Sequence, residues 1–422
     1  MKIIKQPMGD NHKRDSQVTK TVADIMDRVQ QEGDAALIDY AEKFDHVKLD
    51  SIKVDEATIK AAYDLIDAEM LETIKFAASQ IEYFAEQQMD CLKALDIQSK
   101  IPGLEIGHRV IPVERCACYV PAGRHPLPST ALMTIITARV AGVKEIAACS
   151  PAYNGGNTIH PAVLVAMDIA GATEIYCMGG AQAIAAFTYG TETIKKVDML
   201  VGPGNKFVAE AKRQVQGIVG IDSVAGPSEV LIVADETADP TFLAIDLLGQ
   251  AEHDPNAQAI LVCTSQELID RTLPEVERLL DTLDTKDVAA ASWNSNGTVY
   301  LADNIDEAIE ISNRIAPEHL VVSTANEREV ADKLKHYGSM FVGKYATVAF
   351  GDFVSGPNHT LPTMSTARFS SGLWVGNFVK TPFHQFISKE GCMNLAPATM
   401  RFADIEGLPA HRDSVRLRVE KG

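Results

Sequence analysis

Apolar residues recur at helical spacing from residue 17 to about 90. Val22, Ile25, Met26 and Val29 mark one helix face; Ile59, Ala62, Tyr63, Ile66, Met70 and Ile74 mark another. Gly33 interrupts the first run and predicts a turn between helices. From about residue 116 the rhythm changes to short apolar runs separated by helical segments. These runs are CACYV (116–120), EIAACS (145–150), EIYCM (174–178), DMLVG (198–202), VLIVA (230–234), AILVC (259–263), TVYL (298–301) and MFVG (340–343). Strand, helix, strand at this spacing predicts βαβ units and a mostly parallel sheet, and the number of units predicts two sheets. From about residue 373 the alternation stops. The end of the chain reads as a helical tail finishing in EGLPAHRDSVRLR (406–418).

In open parallel sheets, ligands bind outside the carboxyl ends of the strands. Several loops predicted there are rich in Gly and Pro: VPAGRHP (120–126), GGAQ (179–182), VGPGN (201–205) and AGPSE (225–229). Bare backbone beside a helix start can approach an anionic or polar ligand closely. The dinucleotide fingerprint G-x-G-x-x-G is absent, so the loops alone leave nucleotide binding open.

A chain of 422 residues exceeds one simple core and predicts two or more domains. The formal net charge of −18 argues against nucleic acid or an anionic membrane as the main partner, since both are polyanions. No apolar run approaches the ~18–20 residues that span a bilayer. The start, MKIIKQPMGDNHKRDS, lacks the apolar core of a secretory signal. Asp10-Asn11-His12 within it reads as mobile tail and not as a metal site. The 7 cysteines are scattered without a C-x-x-C pair, which predicts reduced packing residues in a cytoplasmic protein.

The chemistry-bearing residues concentrate in the second half. In Gln250-Ala251-Glu252-His253-Asp254, read as a helix, Gln250 and His253 share a face, where a carboxamide oxygen and an imidazole can hold a divalent metal. Glu318-His319 follows Pro317, whose restricted φ suits a tight turn or helix start; on a turn, both neighbours can serve one site. Asp352, His359 and His411 complete the set.

These strings, in this order, resemble the histidinol dehydrogenase family: GGAQAIAA (179–186), VDMLVGPGN (197–205), GIDSVAGPSEVLIVADETADP (220–240), QAEHDP (250–255), IAPEHL (315–320), GDFVSGPNHTLPT (351–363), TARFSS (366–371) and EGLPAH (406–411). The similarity runs from roughly residue 20 to 418. It implies a zinc-dependent enzyme, with one Zn2+ per subunit, that uses two NAD+ to take a primary alcohol through the aldehyde to the acid. The implied fold is α/β: two incomplete Rossmann-like parallel-sheet domains with N-terminal helices and a C-terminal helical tail. The implied borders are 1–115 for an N-terminal helical region belonging to the first domain, 116–229 for an inserted second domain, 230–372 for the remainder of the first, and 373–422 for a tail that crosses to the partner in a homodimer with shared active sites.

By this resemblance Gln250, His253, Asp352 and His411 match zinc ligands. His319 matches the base that takes the alcohol proton, and Glu318 the group that activates water. Tyr119, Gln182 and Asn205 match NAD positions. Ser228 and Glu406 match substrate contacts; the zinc ligands and His319 lie at the same place, and His359 belongs to that site as a substrate contact or an orienting group.

Two segments depart from the family's wording. The loop VPAGRHPLPST (120–130) brings in Arg124 and His125, and GLWVGNFVKTPFHQF (372–386) brings in Trp374 and Lys380. The second string is similar to a side branch that includes sulfopropanediol dehydrogenases, and an arginine pairs well with a sulfonate or carboxylate. The resemblance therefore implies L-histidinol, oxidised to L-histidine, with another polar alcohol such as 2,3-dihydroxypropanesulfonate as the alternative.

Overall fold

The structure is a computed structural model describing residues 1–7, 16–122, 125–153, 155–224 and 226–422. It is an α/β protein built on two parallel sheets. Among the described residues, the larger sheet has the strand order Lys2–Lys5, Thr298–Leu301, Gln258–Cys263, Glu229–Ala234, His319–Ser323, Ser339–Val342. All its neighbours run parallel except the edge strand Lys2–Lys5. The smaller sheet is wholly parallel, in the order Glu174–Cys177, Glu145–Ser150, Arg115–Tyr119, Met199–Val201, Gly220–Ile221. All eight runs predicted as strands lie in these two sheets, within a residue of their expected bounds.

The strands are apolar on both faces because helices cover both. Val230, Ile232 and Ala234 point into one core and Leu231 and Val233 into the other, all fully buried. Each such Val, Leu or Ile contributes about 1.5–3 kcal/mol by leaving water. The helices Ser16–Glu32, Asp34–Tyr40, Glu56–Tyr63 and Ala68–Asp90 realise the predicted N-terminal pattern, and Gly33, at φ 57°, separates the first two. Asp55 and Asp67 start the next two by accepting from Thr58 N and Met70 N. The expected grouping put residues 1–115 with the larger sheet. In the structure Val22, Ile25 and Met26, and then Ile74 and Ile81, pack into the cores of the smaller sheet, and only Lys2–Lys5 joins the larger.

One further expectation needs correction. His319 opens a strand, His319–Ser323, where a turn or helix start was expected; its run Leu320-Val321-Val322 is short, and pairing on both sides makes it a strand. The C-terminal helical tail is present, and short strands come before it. Phe383–Ile387 pairs antiparallel with Leu104–His108, which pairs with Leu95–Gln98, and helices follow only at Lys389–Ile405 and Pro409–Lys421. No helix among the described residues is long and apolar enough to cross a membrane.

Candidate active site

Glu318, His319, Ser228 and Gln250 lie toward the amino end of the larger sheet's inner strands, opposite to the carboxyl-end expectation, which the smaller sheet keeps for Tyr119, Gln182 and Asn205. Helix Ile305–Ile315 ends on Ala316 in a left-handed conformation (φ 56°), and Pro317 then leads into the strand. Glu318 lies just outside the strand, so the alternation of strand side chains does not separate it from His319. Both turn to Glu229 on the neighbouring strand. Glu318 Oε2 accepts from Glu229 N at 2.8 Å, and His319 Nδ1 donates to Glu229 O at 3.0 Å. A carbonyl only accepts, so Nδ1 carries a proton and Nε2 is the position where the ring gains or loses its second proton. Nε2 faces Asp352 Oδ1 at 3.5 Å and has no hydrogen-bond partner.

Sequence reasoning missed Glu229. Its side chain is buried, Oε1 accepts from Met364 N at 3.1 Å, and Oε2 has no partner. Met364 and Ser365 are both left-handed (φ 55° and 62°), and Ser365 Oγ ties this turn to Ile315 O at 2.7 Å. An acidic residue opening the apolar run VLIVA was the available signal.

Burial governs the electrostatics. It lifts the carboxyls of Glu318 and Glu229 to about 7, against the opposing pull of His319. For His319, burial lowers the imidazole, but Glu318, then Asp352, outweigh it and bring it up to about 9. Asp352 is pushed up by burial but held below the usual range by His319, His359 and His253.

Gln250 lies in the last turn of helix Pro240–Ala251, buried, with its Oε1 unpartnered. The helix stops at Ala251, short of His253, which follows in a turn closed by His253 N on Gln250 O at 3.3 Å. Asp352 lies in helix Val348–Phe353, preceded by Thr347, whose hydroxyl donates to Asp246 Oδ1 at 2.9 Å, one turn before Gln250. An orphaned amide oxygen, a carboxylate and an imidazole are ligands that suit zinc. The single chain does not finish the set: His411 and Glu406 lie exposed on the tail, and no group of three or more His, Cys, Asp or Glu closes round one point among the described residues. His359 is buried and uses both nitrogens within the protein, Nδ1 on Asp352 O at 2.7 Å and Nε2 with Thr130 Oγ1 at 3.1 Å. Burial lowers its pKa, against the opposing pull of Asp352. It holds the Asp352 segment to helix Pro128–Val140 rather than reaching into open space.

That helix follows strand Arg115–Tyr119, so the bond joins the carboxyl edge of the smaller sheet to the amino edge of the larger. Asn358 Nδ2 adds a second link to Met133 O at 2.8 Å. Tyr119, Gln182 and Asn205 stand at this carboxyl edge. The buried Tyr119 hydroxyl accepts from Gly180 N at 3.1 Å, Gln182 is buried in the first turn of helix Gly180–Tyr189, and the exposed Asn205 caps helix Lys206–Val215. Ser228 immediately precedes Glu229, and its carbonyl accepts from Gln258 N at 2.9 Å. Trp374 packs against the core of the smaller sheet and precedes the short helix Val375–Phe378, which lies against helices Ala68–Asp90 and Pro128–Val140. Arg124 and Asp10-Asn11-His12 fall outside the described residues.

Known proteins match this arrangement over its whole length. The sequence profile of the histidinol dehydrogenase family fits residues 9–419. A protein of Shouchella clausii strain KSM-K16 called a histidinol dehydrogenase homolog is 42% identical over 420 residues, covering 99% of this chain and 98% of its own. Histidinol dehydrogenase of Geobacillus kaustophilus strain HTA426 is 46% identical over 403 residues, covering 96% and 94%. The crystal structure of histidinol dehydrogenase from Elizabethkingia anophelis superposes with a TM-score of 0.92 at 39% identity, covering 99% of this chain and 94% of that one. The chain therefore belongs to the histidinol dehydrogenase family and is an NAD-dependent dehydrogenase of that type.

Proposed function

We propose that the protein oxidises L-histidinol through the aldehyde to L-histidine, in histidine biosynthesis, using zinc and two NAD+. The observation that supports this reading is the buried Glu318–His319–Asp352 cluster, in which an imidazole with an unpartnered Nε2 lies between a carboxyl of raised pKa and a candidate metal ligand. Gln250, His253 and Asp352 would hold zinc, with His411 supplied by a second copy. Zinc, when bound, supplies a Lewis acid for the substrate oxygen and a charge that offsets Asp352; NAD+, when bound, accepts hydride.

The chain's own residues supply the proton chemistry. His319 Nε2 is the position that exchanges the hydroxyl proton, because Nδ1 is committed to Glu229 O; Asp352 helps hold a proton there, and with that carboxylate offset by bound zinc Nε2 would be free to act as the base. Glu318 takes a proton from water in the second stage, and a base works best with a pKa near the working pH. Ser228 and Glu406 would contact the substrate; Tyr119, Gln182 and Asn205 would line the cofactor edge. The tail supports a homodimer with shared sites: Phe383, Phe386, Phe402 and Ile405 are exposed apolar side chains, which a second copy would cover. Seven free cysteines fit a reducing, cytoplasmic setting.

The test is NADH formation by zinc-loaded protein with L-histidinol and, separately, 2,3-dihydroxypropanesulfonate. Two NADH per histidinol supports the proposal. Turnover of the sulfonate alone moves the substrate, as the altered 120–130 and 372–386 segments allow, while keeping the site. Retained activity after complete metal removal, checked by elemental analysis, refutes the zinc assignment.

A further inference from the structure

Lys212 and Asp222 form an ion pair with almost no solvent contact, their side chains 2% and 4% exposed, and the chemistry above does not use them. Lys212 lies in helix Lys206–Val215, and Asp222 follows strand Gly220–Ile221. Both reach one residue, Gly202. Lys212 Nζ donates to Gly202 O at 2.9 Å and pairs with Asp222 Oδ1, while Asp222 Oδ2 accepts from Gly202 N at 2.8 Å. Asp222 Oδ1 also accepts from Ser223 N at 2.7 Å.

Gly202 is where strand Met199–Val201 gives way to the loop carrying Asn205. Its φ is 120°, and a Cβ there would stand 2.1 Å from Tyr119 O. The loop is thus pressed against the end of strand Arg115–Tyr119, and both backbone polar atoms of Gly202 are satisfied by charged side chains. A buried ion pair is expensive to desolvate, and apolar side chains of similar volume are often as stabilising. Apolar side chains could not satisfy the N–H and C=O of Gly202, nor fix their direction. The pair therefore supplies loop geometry more than stability.

We propose that Lys212 and Asp222 are positioning residues for NAD+, setting the 201–205 loop in the orientation that receives the dinucleotide. This rests on the assignment of Tyr119, Gln182 and Asn205 to the cofactor edge. The test uses the full-length, zinc-loaded protein carrying Lys212→Met with Asp222→Leu. NAD+ binding is measured by calorimetry, steady-state KM for NAD+ and for the alcohol by kinetics, and unfolding by heat. The expected result is at least a tenfold rise in Kd and KM for NAD+, about 1.4 kcal/mol, with the alcohol KM unchanged. If the double variant does not fold, Asp222→Asn, which keeps the side chain's shape and removes its charge, is expected to weaken NAD+ binding at least threefold. A folded variant of either kind that binds NAD+ within twofold of the parent overturns the proposal, even if it melts earlier. A parent that binds no NAD+ would instead refute the cofactor assignment.

Discussion

Replacing Glu229 by Gln should stabilise the protein, and more so as pH rises. The carboxyl is buried, Oε1 accepts from Met364 N, and Oε2 has no partner. Burial raises its pKa from the ordinary 4.5 to about 7. The folded state therefore holds this proton more tightly than the unfolded state. The stability it contributes is complete below about 4.5 and is lost as pH rises through about 7. At about 1.4 kcal/mol per pKa unit, the loss is on the order of 3 kcal/mol. Gln keeps the acceptor for Met364 N and never ionises, but gives up the attraction of a carboxylate for His319. The net expectation is a variant more stable than the parent at pH 8 by about 2 kcal/mol over the difference at pH 5. Urea unfolding of both proteins at the two pH values measures this directly. An equal difference at both pH values would show that Glu229 does not carry the raised pKa, and the account of the buried carboxyls would fall.

Three further outcomes are expected. His319→Asn keeps a donor for Glu229 O but removes the proton acceptor, so kcat should fall by about 10²–10⁴-fold with the melting temperature little changed; kcat within threefold of the parent would remove His319 from the chemistry. Chains carrying His319→Asn and chains carrying His411→Ala should each be nearly inactive alone, yet recover about a quarter of parental activity when unfolded and refolded together, because random pairing leaves one intact site in half the dimers if sites are shared; no recovery would mean that each chain builds its own site. Gly202→Ala should destabilise the protein by about 3 kcal/mol or more, combining a left-side φ with a Cβ 2.1 Å from Tyr119 O, and denaturant titration reads the change.

The strands were legible because a sheet covered on both faces writes continuous apolar runs, as in EIAACS and TVYL. His319–Ser323 escaped because Pro317 ahead of Glu318-His319 pointed to a turn or helix start, whereas pairing with Glu229–Ala234 and Ser339–Val342 makes it a strand. The same pairing places Glu318 and His319 on one residue, Glu229, which no spacing rule connects to them. Arg124 and Trp374 drew attention as departures from the family wording. Trp374 proves to be a packing residue, an outcome that depends on which helices lie beneath it.

Periodicity, loop chemistry and the order of the strings were enough to determine the α/β class, the two sheets and the family, because each is a local property of consecutive residues. Tertiary structure alone decided that Glu318, His319 and Glu229 meet at the amino edge of the larger sheet, and that His359 bridges it to the smaller sheet. It also decided that Lys212 and Asp222 converge on Gly202. Such meetings are set by which strands pair and how deeply a charge is buried, and both depend on residues far apart in the chain.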